Sequence, residues 1–163
     1  MTTIRTATLV HGVGNTFATT TGTGRAFAWG DDAAVPELSP IETVVVSLAA
    51  CSAMDVISIA LKKRQGISMY AIHVRGEQRD AYPQVLTRVD VTHEVEGPEV
   101  DEIAIRRCIE LSATKYCPVN AMLSAGATEV HHRYVVRGTG TTLFEAEGEV
   151  IVTGPYLRPD IVD

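Results

Sequence analysis

The stretch that decides the fold runs from Ser39 to Gln65, SPIETVVVSLAACSAMDVISIALKKRQ. Ser39 is an N-cap residue, Pro40 suits the first helical position, and Glu42 falls where a capping box places its acid. Lys62, Lys63 and Arg64 complement the negative end of a helix dipole, and Gly66 follows as a stop. The pattern therefore predicts one helix from Ser39 to about Lys63. Its interior is apolar on nearly all sides and rich in small residues, so it has to be covered all round. Such a helix is the centre of the domain or of a dimer. A membrane span is disfavoured, because Asp55 at its middle would be costly in lipid.

On the N-terminal side, residues 4–10 (IRTATLV), 16–21 (TFATTT) and 25–29 (RAFAW) read as short strands separated by glycine turns. They suit an antiparallel meander, followed by a polar, proline-marked loop over residues 31–40. On the C-terminal side, residues 68–78 and 85–95 alternate apolar and polar positions, the mark of half-buried strands, with RDAYPQ as a hairpin loop between them. Residues 99–114 carry Val100, Ile103, Cys108 and Leu111 at helical spacing. Cys117 then stands just before Pro118, which favours a break between two helical pieces. Residues 127–136 form a further strand, and LFEAEGEVIV a last one beyond a flexible GTGTT. This order excludes a doubly wound parallel sheet and favours an α+β fold with antiparallel sheets around a buried helix. The whole chain reads as one domain, residues 1–163, with a core to about residue 136 and a C-terminal extension over 137–163.

The 163 residues are 45% hydrophobic and 21% charged, with a net charge of -6 and no concentration of Lys or Arg. That argues against nucleic-acid binding, which rests on neutralising phosphates. The N-terminal MTTIRTATLVHGVG lacks the pattern of a secretory signal. Together with three cysteines, an odd number, this points to a reducing, cytoplasmic setting without structural disulfides. The cysteine spacings contain no CxxC. His131 and His132 adjoin on a strand and so face opposite ways, and no metal site is expected.

Chemistry therefore centres on thiols. Cys51 sits mid-helix in a small-residue patch, where packing is its plain role. Cys117 follows Lys115 and Tyr116 at a helix junction, a setting that favours reactivity. Cys108 lies on an apolar helix face and belongs to the core. Asp55, four residues after Cys51, shares its face and would work against a thiolate there, so it calls for a basic partner such as Lys115 or an arginine. Arg25, at the head of a strand, is a candidate anion partner.

The helix just quoted, followed 66 residues after Cys51 by ELSATKYCPVNAML, resembles the OsmC/Ohr family of hydroperoxide reductases. The YhfA-like branch is similar in SP-x-E at the helix start, A-C-S/T-A-x-D-V in its middle and a late L-S-A-x-K-Y-C. The resemblance covers roughly Gly22 to Val136. It implies an α+β fold in which antiparallel sheets wrap long central helices in an intertwined homodimer. It also implies two interface sites, in which Cys51 is the peroxidatic thiol and Cys117 the resolving one. Cys51 would reduce an organic hydroperoxide and form a disulfide with Cys117, and an external dithiol would restore both, with no bound cofactor. Ohr-type members support the thiolate with an arginine and with a glutamate directly after the helix-opening proline. Here Ile41 holds that glutamate position, the acid is Glu42, and Arg25 is the arginine candidate. The shifted acid and Asp55 motivate an alternative, a non-enzymatic dimer that binds an apolar small molecule at its interface.

Overall fold

The computed structural model describes residues 4–30 and 39–154. The loop expected from residue 31 and the last residues of the C-terminal extension lie outside that range. The described residues fall into two compact units, one ending at Val44 and one beginning at Val45.

The first unit contains β1 (Ala7–His11), β2 (Phe17–Thr21) and β3 (Ala26–Trp29), an antiparallel meander in that order. Gly14 and Gly24 take φ of 63° and 79° in its two turns, the left-handed region where a Cβ is strained. The unit also holds the first turn of α1 (Pro40–Lys62). The Ser39 N–H donates to Glu42 Oε2 at 2.7 Å and the Glu42 N–H to Ser39 Oγ at 3.2 Å, so the capping box read from the sequence is formed.

The second unit is a four-stranded sheet, β4 (Met69–Gln78), β5 (Leu86–Gly97), β6 (Glu129–Thr139) and β7 (Leu143–Thr153). Helices cover one face of it. Residues alternate along β5 from Val89 on, with Val89, Val91, His93 and Val95 buried and the residues between them more open. On the other face, charges pair across strands. Arg137 lies within ion-pair distance of Glu94, Glu96 and Glu145, and Arg133 of Asp90 and Glu149.

One pairing departs from the antiparallel expectation. β5 and β6 run parallel, whereas β4–β5 and β6–β7 are antiparallel. A parallel neighbour needs a long crossover. The crossover here is α2 (Glu102–Leu111), a π-helical turn (Ser112–Tyr116) and α3 (Pro118–Ser124). A second departure concerns the C-terminal extension. β6 runs past residue 136 to Thr139, so the GTGTT segment is not all flexible linker. Gly138 pairs with Gly97 on one side and Phe144 on the other, and the Phe144 ring occupies the space a Cβ would need. Glycine is what lets that strand continue. The extra strand expected in the extension is β7.

The core joins Val56 and Ala60 of α1, Val95 of β5, Ile105, Cys108 and Ile109 of α2, and Tyr134 and Val136 of β6. α1 buries only one stripe fully, Leu48, Ser52, Val56 and Ala60 at steps of four. Its opposite side leaves Val46, Met54 and Leu61 at 51%, 74% and 64% exposure. By length and hydropathy alone α1 could cross a bilayer. Its buried stripe instead packs into the core of the second unit.

Candidate functional site

Two elements build the site. α1 presents Cys51, half-buried, and one turn later Asp55 on the same face. The crossover supplies Cys117, whose position follows from its neighbours. Pro118 bars the α conformation at the residue before it. Cys117 accordingly has φ -74° and ψ 103°, ending the π-helical turn and serving as the N-cap of α3. Its sulfur takes the place of the usual capping oxygen, accepting the Asn120 N–H at 3.3 Å. The Ser52 hydroxyl, next to Cys51 on α1, donates to the same sulfur at 3.8 Å.

The sulfurs of Cys51 and Cys117 and a carboxylate oxygen of Asp55 all lie within 4.8 Å of one another. The basic partner expected for Asp55 is not what the structure provides. Its Oδ2 accepts the Ser112 hydroxyl at 3.1 Å. Lys115 lies over the Tyr116 ring, 5.5 Å from its centroid. The Cys51 thiol is pushed up to about 11, first by burial and then by its hydrogen bond with Cys117. Electrostatic interaction with Cys117 and Asp55 adds to that rise, while the Val119 backbone N–H opposes it. Cys51 is therefore a protonated thiol at neutral pH.

Behind Cys117 runs a buried chain of polar side chains. The Asn120 amide nitrogen donates to the Ala113 carbonyl at 2.7 Å and to Thr153 Oγ1 at 3.1 Å. A carbonyl can only accept, so Asn120 Oδ1 is the atom that faces His132 Nε2, at 3.0 Å. That assigns the His132 proton to Nε2. His132 Nδ1 then accepts from His93 Nε2 at 3.4 Å, and His93 Nδ1 accepts the Tyr70 hydroxyl at 2.8 Å. Each ring carries one proton, and every donor in the chain points toward Asn120. Both histidines are fully buried, and their rings stack 5.7 Å apart. Burial lowers His93 to about 3 and His132 to about 4, with His132 adding to the effect on His93 and His131 to that on His132. Both are neutral in the working protein.

The structure thus brings Cys51 and Cys117 together, as the resemblance implied. Cys108 is fully buried in the core. His131 and His132 face opposite sides of β6: His131 lies 3.3 Å from both Glu129 and Glu149, while His132 is inside. Glu42 and Arg25 make their contacts in the first unit. The Glu42 carboxyl is held below its ordinary value by hydrogen bonds from the Ser39 backbone and side chain, so it is engaged as the capping residue. Arg25 is exposed at the head of β3, its backbone N–H donating to Thr21 Oγ1 at 3.1 Å. Sequence reasoning missed Asn120 and the His93–His132 pair. A signal was present, since each histidine falls on the buried, period-two face of its strand, between Val91 and Val95 and between Val130 and Tyr134.

The family model described as OsmC-like protein matches residues 30–133. The chain is 36% identical over 98 residues to Protein YhfA of Escherichia coli K12, covering 60% of this chain and 72% of that protein. Among solved structures, it is similar to a hypothetical protein from Aquifex aeolicus, with 27% identity, a TM-score of 0.74 and coverage of 84% and 98%. It shares its fold with an organic hydroperoxide resistance protein from Elizabethkingia anophelis, with 13% identity, a TM-score of 0.62 and coverage of 85% and 99%.

Proposed function

The chain belongs to the OsmC-like family, and from that premise we propose that it is a cysteine-based hydroperoxide reductase acting on organic hydroperoxides. The observation that carries the reading is the approach of the Cys51 and Cys117 sulfurs, within 4.8 Å across two elements. In the first step, deprotonated Cys51 sulfur attacks the O–O bond. It becomes the sulfenic acid, and the departing alkoxide takes a proton and leaves as the alcohol. In the second, Cys117 sulfur attacks the sulfenic sulfur, forming the Cys51–Cys117 disulfide and releasing water. An external dithiol then reduces the disulfide through a mixed disulfide and is itself oxidised. The attacking thiol of Cys51 is half-buried, open enough to be reached, whereas Cys117 is buried beside it. That division of exposure suits an attacking and a resolving role. The same reading makes the working form a cytoplasmic homodimer, in which a second copy covers Val46, Met54 and Leu61 on α1.

The test is consumption of an organic hydroperoxide with dithiothreitol or dihydrolipoamide as reductant. Turnover that disappears in Cys51→Ser supports the reading. Equally slow consumption by wild type and Cys51→Ser defeats it.

One observation favours a second reading, a non-enzymatic dimer that binds an apolar small molecule at its interface. The Cys51 thiol is pushed up to about 11, above the free-thiol value of about 8.5. A thiol so held is a weak nucleophile at neutral pH. Turnover across pH separates the two: peroxide consumption that rises with pH and is lost in Cys51→Ser belongs to catalysis, and none at any pH, in protein that binds an apolar ligand, belongs to binding.

A further inference from the structure

Cys51, Asp55 and Cys117 also have the composition of a metal site. Cys51 and Asp55 stand at i and i+4 on one face of α1, the spacing by which a helix offers two ligands to one ion. Cys117 closes the set from the crossover. In a tetrahedral zinc site, Zn–S is about 2.3 Å and Zn–O about 2.0–2.2 Å, so ligand atoms stand at most about 3.8 Å apart. The three atoms here lie within 4.8 Å of one another. Closing that gap takes side-chain rotations of about 1 Å or less, with no change in the helices.

Each ligand already has an outer partner of the kind that orients metal ligands. Ser112 Oγ donates to Asp55 Oδ2 and so holds the carboxylate in place. The Asn120 N–H donates to Cys117 Sγ, and Asn120 is itself held by His132. The Val119 backbone N–H serves Cys51. Two thiolates and a carboxylate are three anionic donors, a soft set that selects zinc over magnesium or calcium. Among the described residues no fourth His, Cys, Asp or Glu joins them, so the fourth position belongs to water, as in sites with three protein ligands.

We propose that Cys51, Asp55 and Cys117 bind one Zn²⁺ per chain in the reduced protein, and that the bound ion withholds both sulfurs from peroxide. The proposal uses the same thiol pair as the peroxidase reading but does not depend on its turnover. Chain spacing hid the site, because its ligands come from one helical turn and from a junction 66 residues beyond Cys51.

The test uses the reduced, metal-free full chain and no peroxide, so failure of the peroxidase reading leaves its outcome unchanged. Co²⁺ is added as a spectroscopic probe and then displaced by Zn²⁺. The expected result is one Co²⁺ per chain, with tetrahedral visible bands and a thiolate-to-metal charge-transfer band, all lost on adding Zn²⁺. Cys51→Ser and Cys117→Ser each remove about half of the charge-transfer intensity, one of two thiolates. Asp55→Asn keeps that intensity but weakens affinity. Ser112→Ala, which leaves all three ligands in place, weakens it by roughly 10-fold. Circular dichroism confirms that each variant is folded. Absence of a charge-transfer band at saturating Co²⁺ overturns the proposal, and so does a band that keeps its full intensity in a folded Cys51→Ser variant.

Discussion

Lowering the pH should destabilise this protein well before its carboxylates titrate, because of the His93–His132 pair. Both rings are neutral in the folded state, at about 3 and about 4. In the unfolded chain a histidine titrates near its ordinary 6.5. Their folded values are lowered, so between 6.5 and about 4 the unfolded state binds more protons and stability falls as pH falls. The contribution is fully present above 6.5. A tenfold preference corresponds to about 1.4 kcal/mol, so each histidine costs about 2 kcal/mol on going from pH 7 to pH 5, or about 4 kcal/mol together. That is a large part of the stability of a typical domain. The lost structure is specific. A protonated His132 would turn an Nδ1–H against the Nε2–H of His93, breaking the chain that ends on Asn120 and Cys117. Urea unfolding followed by circular dichroism at pH 7, 6 and 5 measures the slope. His132→Gln can still donate to Asn120 and accept from His93, and it should remove about half of it. Wild-type stability unchanged between pH 7 and 5, or a full slope kept in both His132→Gln and His93→Gln, would refute the reasoning.

Three further outcomes follow from the same geometry. Peroxide turnover should rise about tenfold per pH unit above neutrality, because the Cys51 thiol stands at about 11. Asp55→Asn should raise the neutral-pH rate by less than about tenfold, since its charge is the smallest cause of that rise; stopped-flow peroxide consumption across pH checks both. Asn120→Ala strands the Ala113 carbonyl and the His132 N–H in the interior. It should cost about 3 kcal/mol or more by urea unfolding and slow disulfide formation in a quenched thiol assay. Met54→Asp sets a charge on the exposed apolar side of α1, and light scattering should find the wild type as a dimer and this variant as a monomer.

The parts of the fold written in local sequence were readable. Ser39, Pro40 and Glu42 announce the start of α1, and the alternation along β5 announces its buried face. Cys117 before Pro118 marks a helix junction for a reason confined to two residues. Long-range choices were not readable in this way. Whether β6 lies parallel or antiparallel to β5 depends on where the α2–α3 crossover returns, and no local pattern encodes that. The continuation of β6 through Gly138 depends on Phe144 packing over it from β7. Asp55 was paired in expectation with a cation because an isolated carboxylate next to a thiol calls for one. The partner that folding supplies is a hydroxyl 57 residues away, Ser112. His93 and His132 carried a pattern signal, but a polar residue on a buried face does not by itself name its partner 39 residues further on.

The most direct test of the thiol-pair account is a peptide map of the protein after one equivalent of an organic hydroperoxide. Digestion without reductant and mass spectrometry should recover a Cys51–Cys117 disulfide as the main oxidised product, with Cys108 still a free thiol. Cys117→Ser should instead accumulate Cys51 sulfenic acid. Protein that stays fully reduced, or oxidises at Cys108 with Cys51 untouched, would contradict the account.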